Sequence, residues 1–204
     1  MRYLSIFLVF VLLVGLSGAA WYGLAPGNYK VPVTVQTIRG AGLQNSTEIW
    51  NTLSCNTTVA KTAAQIAAAK YNPVPDVPRC VTAAPGSAIT GNVLINGTDF
   101  YGNVISEKLT WTTSDLGKST GKAFKTVTSL NCTTGAANSF NLGYGQALGL
   151  NTPLASNTRV IMATLNGVKE TTAPTVTASS TVIASNTIDL SSALNGNTIT
   201  VWFY

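Results

Sequence analysis

From residue 76 onward the chain is a succession of short β-prone runs separated by turn chemistry, and this pattern constrains the fold more than any other feature. The runs fall at Val93-Leu94-Ile95, Val104-Ile105, Lys122 to Val127, Ala137 to Leu150, Arg159 to Leu165, Val168 to Thr172, Thr175 to Ala178, Thr181 to Ala184, Thr187 to Leu190 and Thr198 to Tyr204. Many short strands at such spacing predict a mainly β chain built as an antiparallel β-sandwich, jelly-roll-like in type. Two connections carry register information. Asn166-Gly167, between Leu165 and Val168, is the strongest hairpin signal in the chain, because both residues tolerate the positive φ of a tight reversal. The polar stretch Asn96 to Asn103 holds two glycines and an aspartate, and reads as a second hairpin with Asp99, Gly102 and Asn103 as its structural turn residues. Phe124 and Val127 are expected core contacts.

The first 75 residues differ. Residues 3 to 24 carry no charge, Arg2 precedes them, and Leu4 to Leu16 is almost wholly apolar before Ser17-Gly18-Ala19-Ala20. This is the outline of a secretory signal. Extended to Leu24 it is also long enough to span a bilayer as a helix. A hydrophobic arm buried in an assembly is the third reading. Tyr29 to Ile38 is expected as an edge strand, with Val31, Val33 and Val35 on one face and Pro32 blocking one ladder position. Arg39 to Asn45 reads as a loop. Thr57 to Lys70 is the one helix candidate, alanine-rich and capped by Thr57 or Thr58. Asn72 to Pro78 contains three prolines and reads as a stiff connector. The expected organisation is therefore a hydrophobic segment at 1–24, an arm with a strand and a short helix at 25–75, and a sandwich domain at 76–204.

Charge enters through what it excludes. Charged residues make up 9% of the 204, against roughly 25% in ordinary soluble domains. The net charge of +5 comes from scattered basic residues, which argues against nucleic acid as a partner. With no histidine, His-based triads and His metal sites are absent. Glu48, Asp76, Asp99, Glu107, Asp115, Glu170 and Asp189 are dispersed, and three of them sit beside turn signals where aspartate bonds local backbone. No catalytic residue, cofactor or metal ligand is expected. The three cysteines, Cys55, Cys80 and Cys132, have no CxxC spacing. Either all three are buried small hydrophobes, or in an exported chain Cys55 pairs with Cys80. Four Asn-Xaa-Ser/Thr sequons occur. However, 17 asparagines in a chain with about 22% Ser plus Thr give roughly four by chance.

Three motifs lie between Asp76 and Ser129. They are Asp76-Val77-Pro78-Arg79, then Gly97-Thr98-Asp99-Phe100-Tyr101-Gly102-Asn103 with Ser106-Glu107, then Lys122-Ala123-Phe124-Lys125-Thr126-Val127-Thr128-Ser129. Their succession resembles a family of small structural proteins of tailed-bacteriophage virions. The resemblance covers the middle of the chain and fades toward both ends. It implies a non-enzymatic virion protein, of head decoration or cement type, or else a neck or tail accessory. Its partners would be major capsid or tail subunits and copies of itself. The alternative expectation is an exported or membrane-anchored surface protein, such as a filament subunit or adhesin, held to a membrane through residues 3–24. In either case the large apolar residues at the two ends are the expected assembly contacts: Leu4, Phe7 and Phe10 in the first segment, and Trp202, Phe203 and Tyr204 in the last. A core strand closing the sheet is the plainer reading of that last run.

Overall fold

The computed structural model describes residues 33–43, 45–55, 58–69, 71–112 and 117–204, and Thr34–Phe203 form one compact unit. The expected antiparallel β-sandwich is present, elaborated into three sheets. The 14 strands are β1 (Thr34–Ala41), β2 (Asn45–Cys55), β3 (Thr58–Thr62), β4 (Arg79–Pro85), β5 (Gly91–Thr98), β6 (Val104–Trp111), β7 (Lys118–Phe124), β8 (Thr126–Thr134), β9 (Asn138–Gly149), β10 (Val160–Leu165), β11 (Val168–Lys169), β12 (Thr175–Thr177), β13 (Thr187–Asp189) and β14 (Asn197–Phe203). One short helix, α1, spans Ala63–Ala68.

One sheet runs β3-β8-β5-β6, another β1-β14-β10-β11, and the third β12-β13-β9-β4-β7. Strand β9 organises the whole. On one side it pairs with β4; on the other, β2 pairs with Asn138 to Tyr144 and β13 takes over at Leu148 and Gly149. The side chains of β9 and of Leu150 just beyond it divide in the same way. Phe140, Leu142 and Tyr144 belong to a core shared with Val93, Ile95, Trp111, Phe124 and Leu130. Leu148 and Leu150 belong to a second core with Ile38, Ile188, Ile199, Val201 and Phe203. The molecule therefore has a first lobe (β2 to β8 with the start of β9) and a second lobe (β1, β10 to β14 and the end of β9).

Alternation explains most strands. In β5, Val93, Ile95 and Gly97 point inward while Leu94 and Asn96 are half-buried. Gly97 has a particular task. A Cβ there would lie 2.0 Å from the Thr126 carbonyl oxygen, so only glycine lets β8 approach at this bulge. Strands β7 and β8 are one run that changes sheets at Lys125, whose amide donates to Thr98 O (2.8 Å).

The N-terminal expectations need four corrections. The segment expected as a helix from residue 57 begins instead as strand β3, paired with β8, because Thr58, Val59 and Thr62 are β-branched and the ladder outweighs alanine propensity. Only Ala63–Ala68 is helical, with Thr62 and Gln65 closing a reciprocal capping box and Ile66 buried. The first strand is at an edge, as expected, but runs Thr34–Ala41. It buries Gln36 and Ile38 and turns Val35 outward, and its end crosses the expected loop through a bulge at Gly40 (φ +70°). The proline connector is not a domain boundary. Pro75 is buried, Val127 N donates to Pro73 O (2.7 Å), and Tyr144 Oη donates to Asn72 O (3.1 Å). Residues 34–75 supply three strands and core side chains such as Ile49, Leu53 and Ile66. Residues 1–32, including the signal or anchor reading, lie outside the described residues. Two smaller differences follow. Ile183–Ser185 is a 3-10 turn where a strand was expected. Cys55 is disulfide-bonded to Cys132, not to Cys80, across a Cα–Cα distance of 6.1 Å.

Candidate functional site

The three motifs between Asp76 and Ser129 meet at one place, the jog where β9 passes from the first core to the second. The jog is visible in the register. Arg79 faces Leu148, but Val81 faces Tyr144, so β9 carries two extra residues there. A bulge leaves carbonyls without ladder partners, and the buried Arg79 side chain fills the gap. Its guanidinium donates to Gly145 O (3.2 Å) and to Gly42 O, and pairs with Asp76 at 2.8 Å from Nε and 3.1 Å from Nη2. The close approach of charges, rather than a well-angled hydrogen bond, partners Nε. The half-exposed Asp76 carboxylate also accepts from Gly42 N, so the Asp76–Arg79 pair holds the β1–β2 connection against β9.

The second motif forms the β5–β6 hairpin, as expected. Asp99 is buried in the turn it builds. Its Oδ1 accepts from Tyr101 N and Asn103 N at 2.9 Å each, its Oδ2 from Asn103 Nδ2 at 3.0 Å, and Asp99 N donates to Asn103 O. Gly102 takes φ +88°, a left-handed value that a side chain resists. The hairpin tip is then fastened to the second lobe, because Tyr101 Oη donates to Asn151 O. Glu107, ten residues after Gly97, reaches from edge strand β6 to β7. It accepts from Gly121 N (2.7 Å) and Lys122 N (2.9 Å), while Lys122 Nζ donates back to Ser106 O (2.8 Å). The third motif completes the junction. Phe124 is fully buried beside Gly97, and Ala123 packs against Gly149, whose amide donates to Pro78 O.

The other expected residues are dispersed. Asn166 and Gly167 form the tight β10–β11 turn with φ +50° and +79°. Asn166 also reaches the neighbouring strand, accepting from Thr198 N and donating to Asn197 Oδ1. Phe203 is buried and belongs to the second core; β14 is interior to its sheet, with β1 and β10 on its two sides. Trp202 is half-buried and Tyr204 exposed. Leu4, Phe7 and Phe10 lie outside the described residues.

Titratable chemistry is sparse. Burial pushes the Cys80 thiol up to about 12 against the effect of a Thr120 hydrogen bond, and burial likewise raises Tyr144. Both hold their protons at neutral pH. Asp189 is raised by burial, and its Oδ1 has no hydrogen-bond partner. Burial would raise Glu170 as well, but hydrogen bonds from Ser191 and Ser192 overcome it and lower the net value. Among the described residues no three His, Cys, Asp or Glu come close enough to hold a metal. Surface grooves of about 440 Å³ beside β10 and about 270 Å³ beside β1 are open and mixed in polarity. Arg79 and Asn186 escaped the sequence reading. An arginine opening an apolar strand three residues after an aspartate was the available signal for the first; nothing local distinguishes Asn186 from the chain's other asparagines. No family model, curated protein or solved structure matches the chain.

Proposed function

We propose that the protein is a non-enzymatic structural subunit of a tailed-phage virion, seated on an existing lattice as a head decoration or cement protein, or as a neck or tail accessory. One observation carries this reading. Every motif behind the resemblance is spent on architecture, and all of them converge on the lobe junction. What that pattern builds is a β module whose two cores are tied together at one junction. Such a module stabilises a shell by adding buried interface, since each contact shifts the equilibrium away from the open lattice. The test is mass spectrometry of density-purified particles. Peptides from residues 34–203 at a fixed ratio to the major capsid protein are expected. Particles that lack the chain would overturn the reading.

A second reading, an exported or membrane-anchored surface protein, is favoured by the Cys55–Cys132 disulfide, because such bonds persist in oxidising compartments. The same spectra separate the two. A chain starting at Met1 or Arg2 in particles supports the virion reading. A chain starting near Trp21 in the extracytoplasmic fraction supports export.

A further inference from the structure

Strand β1 presents an open edge. It pairs with β14 on one side, and among the described residues no strand pairs with the other. Open edges invite pairing with another chain, and folded proteins blunt them with inward charges, prolines or bulges. From Val35 to Ile38 this edge carries no charge, proline or bulge; the exposed Arg39 and the bulge at Gly40 come only at its end. The edge is also held in place from beneath. Gln36 is buried and donates to Gly149 O (3.4 Å), while its Oε1 accepts from Asn151 N (2.9 Å). A groove runs beside residues 35–39, and its far wall is Val77, Pro78 and Phe100 from the lobe junction.

The character of the edge selects its occupant. On the outward face lie Val35, half-exposed, then Thr37, then Arg39. Paired parallel with itself, this strand would bring two Arg39 side chains together. Paired antiparallel about Thr37, it sets each Arg39 stem across from the other copy's Val35. The two guanidinium groups then stand four residues apart along the strands, roughly 14 Å, beyond the ~8 Å screening length of physiological salt. That register keeps faces matched, with Gln36 opposite Ile38 on the inner side. It also covers the same five residues that line the groove. A patch that complements its own reversed copy is what a two-fold interface requires. We propose that β1 pairs antiparallel with β1 of a second copy of this chain, centred on Thr37, to join the two β1-β14-β10-β11 sheets into one. The pairing does not depend on which compartment the protein occupies.

The test uses the full chain in mild detergent. Thr37→Cys is expected to form a disulfide-linked dimer under mild oxidation at least tenfold faster than Thr172→Cys, an exposed site outside the strands. Native Cys80 is buried and does not compete. Adding Val35→Lys to Thr37→Cys sets like charges opposite each other and should slow cross-linking at least tenfold without moving the melting temperature. Adding Arg39→Glu as well should restore it. Equal rates at Thr37 and Thr172, or indifference to both charge changes, would overturn the proposal. So would a chain that remains monomeric by light scattering, which would leave the edge to a strand from a different protein.

Discussion

The two lobes divide the satisfaction of their backbone polar groups differently between ladders and side chains. The first relies mainly on ladders, with side chains such as Asp99 and Glu107 at a turn and an edge. Strands β5 and β6 pair without interruption from Gly91 opposite Trp111 to Thr98 opposite Val104, and β8 pairs along the other side of β5. The second has strands of two or three residues at β11, β12 and β13, and side chains finish what the ladders leave. Asn186, fully buried, uses its whole amide. Its Oδ1 accepts from Leu154 N and Ser179 N, and its Nδ2 donates to Val182 O and Ile183 O. Gln146 donates to Leu190 O and Ser192 O, and Glu170 accepts from Ser191 and Ser192. A lobe built from loops can be as well satisfied as one built from strands, but its stability is then concentrated in a few amides and carboxylates. Removing one of these should do more local damage than any single exposed residue of the first lobe.

The largest effect is expected from the staple of the first lobe. Replacing Cys55 and Cys132 together by alanine opens a closure of 77 residues and should cost about 4 kcal/mol on the chain-entropy model. A denaturant midpoint unchanged by reductant would refute this. Next comes the hinge between the lobes. Arg79→Met leaves the Gly42 and Gly145 carbonyls unpartnered and should cost about 3 kcal/mol. Calorimetry should then resolve two transitions where the parent shows one. A single sharp transition would mean that the lobes cohere without the arginine. Asn186→Leu keeps the branched outline, adds bulk and removes four hydrogen bonds, for about 2 kcal/mol or more. Hydrogen exchange should quicken at Leu154 and Ser179 while the amides of β5 remain protected; uniform quickening would erase the contrast. In the first lobe, Gly102→Val forces a β-branched residue to φ +88° and should cost about 1–2 kcal/mol. An unchanged melting temperature would count against the left-handed turn.

The smallest effect separates two carboxylates of the second lobe by pH. Glu170 is lowered in the fold, so its contribution is complete above the ordinary carboxylate range and is lost as pH falls toward its folded value. Asp189 is raised, so its contribution is complete at low pH and is lost as pH rises through its folded value. Glu170→Gln should therefore flatten the acid limb of the stability profile, and Asp189→Asn should flatten the limb just above it. Identical profiles for both variants would show that neither titrates as assigned.

What the sequence could reveal followed the same division. Asn166-Gly167 and Asp99 to Asn103 were legible because a tight turn imposes its chemistry on adjacent residues. In the first lobe β5, β6 and β9 were legible from short apolar runs between turn signals, whereas β2 and most of β8 were not, because their polar Asn, Ser and Thr residues mask the alternation. The reversal of β1 was not legible either. Val35 is the more apolar side chain, yet Gln36 faces inward because Gly149 and Asn151 need its amide, a demand set more than a hundred residues away. The Thr58–Thr62 strand was hidden as well. The alanines that follow at 63–68 make the whole stretch read as helix, while its own β-branched residues pair with β8. The prolines at 73, 75 and 78 mark a rigid path, and rigidity alone does not tell a linker from a buried crossing.

The place of β14 has a consequence for synthesis. Thr34 pairs with Phe203, and β14 lies between β1 and β10, so the second lobe has no middle until translation has passed residue 203. The first lobe can close on the ribosome well before that. A nascent chain interrupted anywhere between the two points carries a finished lobe and an exposed, unfinished one, which is the kind of surface that proteases and chaperones take up. The pairing of the first described strand with the last thus ties completion of the second lobe to synthesis of residue 203.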